Sequence, residues 1–185
     1  MRHAPFQLLC YEEVINVKRA IILTGPGFDD AEFIYPYYRL QEAGFSVDIA
    51  TSTDEEVASK RGLPAVPTVA LKDLDAGRFD LLVIPGGNVA PDRMRQVQEI
   101  LDFTRAMNDS NKPIASICHG PWVLISAGIV KGRKATCYRG CRDDLINAGA
   151  IYLDEPVVVD GNMVTSRHYN DNVPWMRETL RLFGL

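Results

Sequence analysis

The stretch Pro113-Ile-Ala-Ser-Ile-Cys-His-Gly-Pro121 decides the fold. Its first half, Pro113 to Ile117, is a short apolar run of the kind that fills a strand buried on both faces. Its second half opens a helix at Pro121, a residue whose fixed φ suits the first helical turn. The apolar sequence Trp122-Val-Leu-Ile-Ser-Ala-Gly128 carries that helix forward as a buried one. Cys118, His119 and Gly120 are left to reverse the chain, so a strained turn is predicted. The pattern Ser116-x-Cys118-x-Gly120 has the form of a nucleophile elbow, with small residues two positions away on either side. The N-terminus of the following helix adds partial positive charge and free N–H groups, which predicts a lowered thiol pKa. A buried apolar cysteine at a strand end is the competing reading.

Working outward, the same strand-loop-helix grammar recurs. Arg19 to Thr24 reads as a first strand ending in Gly25-Pro-Gly27, followed by a helix from Asp29 or Asp30 through Ala43 that stops at Gly44. Phe45 to Ala50 is a second strand. Asp80 to Ile84 is a third, closed by Pro85-Gly-Gly87 and followed by one helical stretch from about Pro91 to Asn108. After the elbow come a short strand near Thr136, a helix over Asp143 to Ala148, two valine-rich strands joined at Asp160-Gly161, and a final helix ending near Leu182. An Asp-Gly pair between such strands signals a hairpin. Alternating strands and helices predict an α/β fold: a doubly wound, flavodoxin-like, mostly parallel sheet with helices on both faces. Residues 19–185 are expected to form a single domain, with residues 1–18 an N-terminal extension. Thr51 to Leu74, interrupted by Pro64 and Pro67, reads as an excursion or small hairpin.

Composition narrows the function. The 185-residue chain is 46% hydrophobic and 24% charged, with a formal net charge of -4 and no basic stripe. That argues against nucleic acid as a partner. No apolar run approaches the roughly 20 residues a membrane-spanning helix needs, and Glu12 and Glu13 interrupt any signal-like start, so no membrane partner and a cytoplasmic location are expected. The four cysteines, at positions 10, 118, 137 and 141, suit free thiols in a reducing compartment rather than a disulfide framework. Cys137 and Cys141 lack a zinc spacing, and neither metal nor cofactor is expected.

At the loop edge, Gly86 and Gly87 are candidate oxyanion donors through their backbone N–H groups, as is the N–H of His119. Glu32, just inside the first helix, is a candidate for exchanging a proton with thiol or substrate. An acidic residue there also suits the helix dipole. His168 reads as a surface loop residue rather than a base.

Further motifs accompany these residues: Ala31-Glu-Phe-Ile-Tyr-Pro36, Val83-Ile-Pro-Gly-Gly87, Leu124-Ile-Ser-Ala-Gly128, Gly132-Arg-Lys134 and Val157-Val-Val-Asp-Gly161. In this order the chain resembles the PfpI family of intracellular proteases, within the class I glutamine amidotransferase-like superfamily that includes the parkinsonism-associated deglycase. The resemblance implies Cys118 as nucleophile, His119 as its neighbouring histidine, Glu32 as the acid beside the thiol, Gly87 as an oxyanion donor and Tyr138 as a pocket residue. It also implies a homodimer or larger homo-oligomer in which an acidic residue, here Asp92, orients His119 across a subunit interface. Asp92 is one methylene shorter than the family's glutamate, and its loop is about one residue longer. Glutaminase chemistry is disfavoured, because His168 is followed by Tyr169 and Asn170 rather than a glutamate two residues on.

The expected function is therefore that of a cofactor-free cysteine enzyme acting on reactive carbonyls, of the glutathione-independent glyoxalase or deglycase type, with a small dicarbonyl as substrate. The alternatives are a peptidase of the PfpI type with a peptide substrate, and a redox-sensing or chaperone-like stress protein without turnover.

Overall fold

A computed structural model describes residues 17–185. The expected extension at residues 1–18, except Val17 and Lys18, lies outside the described residues, and so does Cys10. The central sheet has six strands: β1 (Arg19–Thr24), β2 (Ser46–Thr51), β5 (Leu81–Ile84), β6 (Ile114–Ile117), β9 (Val157–Asp160) and β10 (Met163–Ser166). Their order is β2-β1-β5-β6-β10-β9. All neighbours are parallel except the edge pair β9 and β10, which the Asp160-Gly161 turn joins as the predicted hairpin. Gly161 takes φ +56 there, the left-handed region a tight turn needs.

The side chains of each strand alternate between two apolar layers. On one face Phe33 and Leu40 of α1 (Asp30–Glu42) and Trp175, Met176 and Leu180 of α6 (Asn172–Arg181) cover Ile22, Val83, Ile117 and Val164. On the other, α2 (Val89–Met94), α3 (Gln98–Asp109), α4 (Pro121–Ser126) and α5 (Arg142–Asn147) cover Ile21, Leu23, Leu82, Ile84 and Ile114. The doubly wound, mostly parallel α/β architecture read from the sequence is the observed one.

One local difference matters for the site, and one expected feature is placed there. The stretch read as one helix from Pro91 to Asn108 is two, separated by Arg95, Gln96 and Val97. The Thr51–Leu74 excursion contains a small antiparallel pair, β3 (Val57–Ala58) and β4 (Pro64–Ala65). It is held against the loop after β1 by hydrogen bonds from Gly27 N to Ala58 O (2.8 Å) and from Lys60 N to Phe28 O (3.0 Å). The strand near Thr136 is β7 (Lys134–Ala135), paired with β8 (Ile151–Tyr152) in a two-stranded sheet of its own.

Candidate active site

The loops that follow β1, β5 and β6 leave the sheet at one edge, and because these strands are neighbours their loops converge there. Cys118 sits on the third of these loops with φ +61, a conformation that costs a non-glycine residue about 1–2 kcal/mol. The turn is pinned on each side. Cys118 N donates to Ser166 O (3.0 Å), Gly120 N to Ile117 O (2.8 Å), and Tyr138 N to Cys118 O (2.8 Å). A Cβ at Gly120 would lie 2.5 Å from Ser116 Oγ and 2.6 Å from Ile84 O, so only glycine fits two residues beyond the cysteine. The elbow read from the spacing is thus present, and its glycine is required by space.

Asp29 caps α1, accepting from Ala31 N (3.1 Å) and Glu32 N (3.4 Å), and this places Glu32 in the first turn, aimed into the protein. Glu32 is wholly buried. Its Oε2 accepts the Gly86 N–H at 2.8 Å, while Oε1 has no well-aligned partner among the described residues. Burial, reinforced by the charge of Asp29, lifts its carboxyl from 4.5 to about 7, against the opposing pull of the Gly86 N–H, the Cys118 thiol and Lys60. A carboxyl poised near neutrality beside a thiol can both take and return a proton. Gly86 is as constrained as Gly120, since a Cβ there would lie 2.5 Å from both Cys118 Cβ and Glu32 Oε2.

His119 Nδ1 lies 3.2 Å from Cys118 Sγ. Its ring stacks on Tyr138 (centroids 4.8 Å apart, planes at 25°) and meets Trp122 edge-on at 5.0 Å. Trp122 is fixed in turn by a hydrogen bond from its Nε1 to Asp144 Oδ2 (2.8 Å). Burial, with Lys60 nearby, lowers the imidazole from 6.5 to about 4, so it is neutral at pH 7.

Two expectations are corrected. The thiol of Cys118 is raised rather than lowered: burial and the charge of Glu32 outweigh the backbone N–H groups of Gly87 and His119. With a neutral imidazole beside it, the resting pair is thiol and imidazole rather than a thiolate–imidazolium ion pair. Gly86 is not a free oxyanion donor, because its N–H is committed to Glu32. The N–H groups of Gly87 and His119 are the ones directed at the sulfur. Asp92 does not meet His119 within the chain. Its helix α2 buries Ala90, Pro91 and Met94 and leaves Asp92 exposed, without an ion pair or side-chain hydrogen bond among the described residues.

Other residues at the site escaped the sequence reading. The cleft over Cys118 has a volume of ≈ 390 Å³ and is bounded by Glu32, His119 and Tyr138 together with Lys60, Asn88 and His168. His168 is therefore a half-buried wall residue of the cleft and not a plain surface residue. Lys60 reaches the cleft from the excursion, pairing with Asp29 at 3.6 Å. Among the described residues no cluster of three or more potential metal ligands occurs, and no helix is long and apolar enough to cross a membrane.

Fold and site together define a flavodoxin-like α/β protein with a cysteine on a strand-to-helix elbow and a buried carboxyl beside it. The model of the DJ-1/PfpI family matches residues 18–182, and the chain belongs to that family. It is 45% identical to Deglycase PfpI of Pyrococcus furiosus over 164 residues, spanning 89% of this chain and 98% of that one. It is 42% identical to the putative cysteine protease YraA of Bacillus subtilis, over 89% of this chain and 98% of the relative. Among solved structures, Drosophila melanogaster DJ-1beta superposes with a TM-score of 0.84 at 30% identity, covering 91% of this chain and 92% of that one.

Proposed function

We propose that the protein is a cofactor-free cysteine enzyme that converts small reactive dicarbonyls to hydroxy acids, the glyoxalase or deglycase type of activity. The observation that carries this reading is the pairing of a sterically enforced cysteine elbow with a buried carboxyl whose pKa is about 7. In the first step Cys118 Sγ bonds to the aldehyde carbon, the C=O π bond breaks to an alkoxide, and the thiol proton passes to the Glu32 carboxylate. The Gly87 and His119 N–H groups receive the alkoxide, which becomes a hemithioacetal on reprotonation.

Neutral His119 then removes the proton from that carbon, giving an enediol, and reprotonation at the adjacent carbon leaves a thioester. Water cleaves the thioester to the hydroxy acid and restores the thiol. The sum is one dicarbonyl plus one water, with no external oxidant or reductant. An aldehyde has no amine to expel, so the chemistry asks less of a base oriented by Asp92 than peptide hydrolysis would.

The name of the Bacillus relative supports a second reading, peptide hydrolysis through an acyl-enzyme. Both are tested by following methylglyoxal loss and lactate formation without glutathione, beside a labelled casein digest, for wild type and Cys118→Ala. Lactate formation falling at least 10³-fold in the variant, with little casein cleavage, is expected. Casein cleavage without lactate would select the peptidase. Neither product from folded protein would leave Cys118 to oxidant sensing.

A further inference from the structure

The cleft does not end at Tyr138 and His168. These two rings, 6.2 Å apart and tilted by 30°, also border a second cavity of ≈ 490 Å³ on the side away from Lys60 and Asn88. A methylglyoxal molecule of five heavy atoms leaves that space unused. The charges around it are unevenly distributed. Arg167 donates to Asp154 Oδ1 (3.0 Å) and, through Nε, to Asp171 Oδ2 (3.1 Å), a triad with one surplus negative charge. Arg139, on the same cavity, has no ion-pair or side-chain hydrogen-bond partner among the described residues. Its position is nonetheless tied to the reaction centre, because it follows Tyr138, whose N–H is bonded to Cys118 O at 2.8 Å.

We propose that this second cavity is a subsite for the molecule that carries the carbonyl group, a free amino acid whose carboxylate pairs with Arg139. A guanidinium matches a carboxylate in planar, bidentate geometry. The surplus negative charge of the Arg167 triad disfavours a multiply charged anion and suits a ligand with a cationic amine near its carboxylate. The ligand class is thus a zwitterionic amino-acid adduct, with its acyl or carbonyl carbon at Cys118 and its α-carbon end beyond Tyr138. The inference rests on the proposed carbonyl chemistry for the placement of the reacting carbon and extends it to the carrier.

The test is calorimetric binding to the intact protein and needs no turnover. The probes are Nε-lactoyl-lysine as the free acid, the same compound as its carboxamide, and N-lactoyl phosphoethanolamine. The free acid is expected to bind about fivefold more tightly than the carboxamide, the size of a favourable exposed ion pair. Arg139→Gln removes that preference and Arg139→Lys keeps part of it. Equal affinity of acid and carboxamide in the wild type, or tighter binding of the cationic carboxamide, overturns the proposal even if the variants do not fold. Tighter binding of the phosphate probe overturns the carboxylate assignment. Loss of lactate formation with the acid preference intact would instead refute the proposed reaction and leave the subsite standing.

Discussion

Glu32 and His119 flank the same thiol and are shifted by the same cause, yet burial moves them in opposite senses because one is an acid and the other a base. Glu32, raised from 4.5 to about 7, holds its proton more tightly in the folded protein. The associated stability is complete below about 4.5 and is lost as pH rises to about 7, a change of about 3 kcal/mol. His119, lowered from 6.5 to about 4, holds its proton less tightly when folded, so stability rises with pH between those values. Between about 4.5 and 6.5 the two slopes oppose one another. Urea titrations across that window should therefore show Glu32→Gln growing more stable with rising pH, His119→Asn growing less stable, and wild type between them. Identical pH slopes for all three would contradict the burial of both groups. None of this could be read from the sequence. Cys118 looked activated because a helix N-terminus follows it, whereas the depth at which Glu32 is buried depends on Gly86, 54 residues away.

At the scale of the element, the strand-turn-helix unit around Cys118 was the most legible part of the chain, because each of its constraints is local. Pro121 starts the helix, and Gly120 leaves room for Ser116 Oγ and Ile84 O. Gly120→Ala should cost about 3 kcal/mol, since two of the clashing atoms, Ile84 O and Ile117 O, are backbone and cannot rotate away. A shift in the urea midpoint with an unchanged slope would report it, and a midpoint within experimental error of wild type would mean the elbow is looser than described. The break between α2 and α3 was not legible, because Arg95, Gln96 and Val97 include neither glycine nor proline. Packing supplies the reason: Arg95 reaches Ser126 Oγ (2.9 Å) and lies over the Trp122 ring, tying α2 to the helix that follows the elbow. Lys60 was missed for a similar reason, since backbone bonds to Gly27 and Phe28 bring its hairpin to the site and such pairings leave no local pattern.

For the whole molecule, the parallel order of the strands followed from their apolar runs, but a sequence does not say which surfaces meet another copy. Asp92 is exposed on α2 beside Val89, itself 39% exposed. An acidic side chain that fails to meet His119 in its own chain can meet it only across an interface. If it does, activity per subunit should fall on dilution in step with dissociation seen by light scattering, and Asp92→Ala should lower kcat about tenfold with little change in the stability of the dissociated subunit. A monomer that keeps full activity at every dilution would remove Asp92 from the site altogether.

The left-handed backbone of Cys118 also opposes two demands on one residue. Glycine at this position would suit φ +61 at no steric cost, whereas alanine would keep the strain and lose the sulfur. Cys118→Gly should therefore melt a few degrees above Cys118→Ala, although it buries less. The reverse order would show that the turn is held without strain. With the expected order, the cysteine holds this position at a cost in stability that glycine would not carry, a cost that the proposed chemistry accounts for.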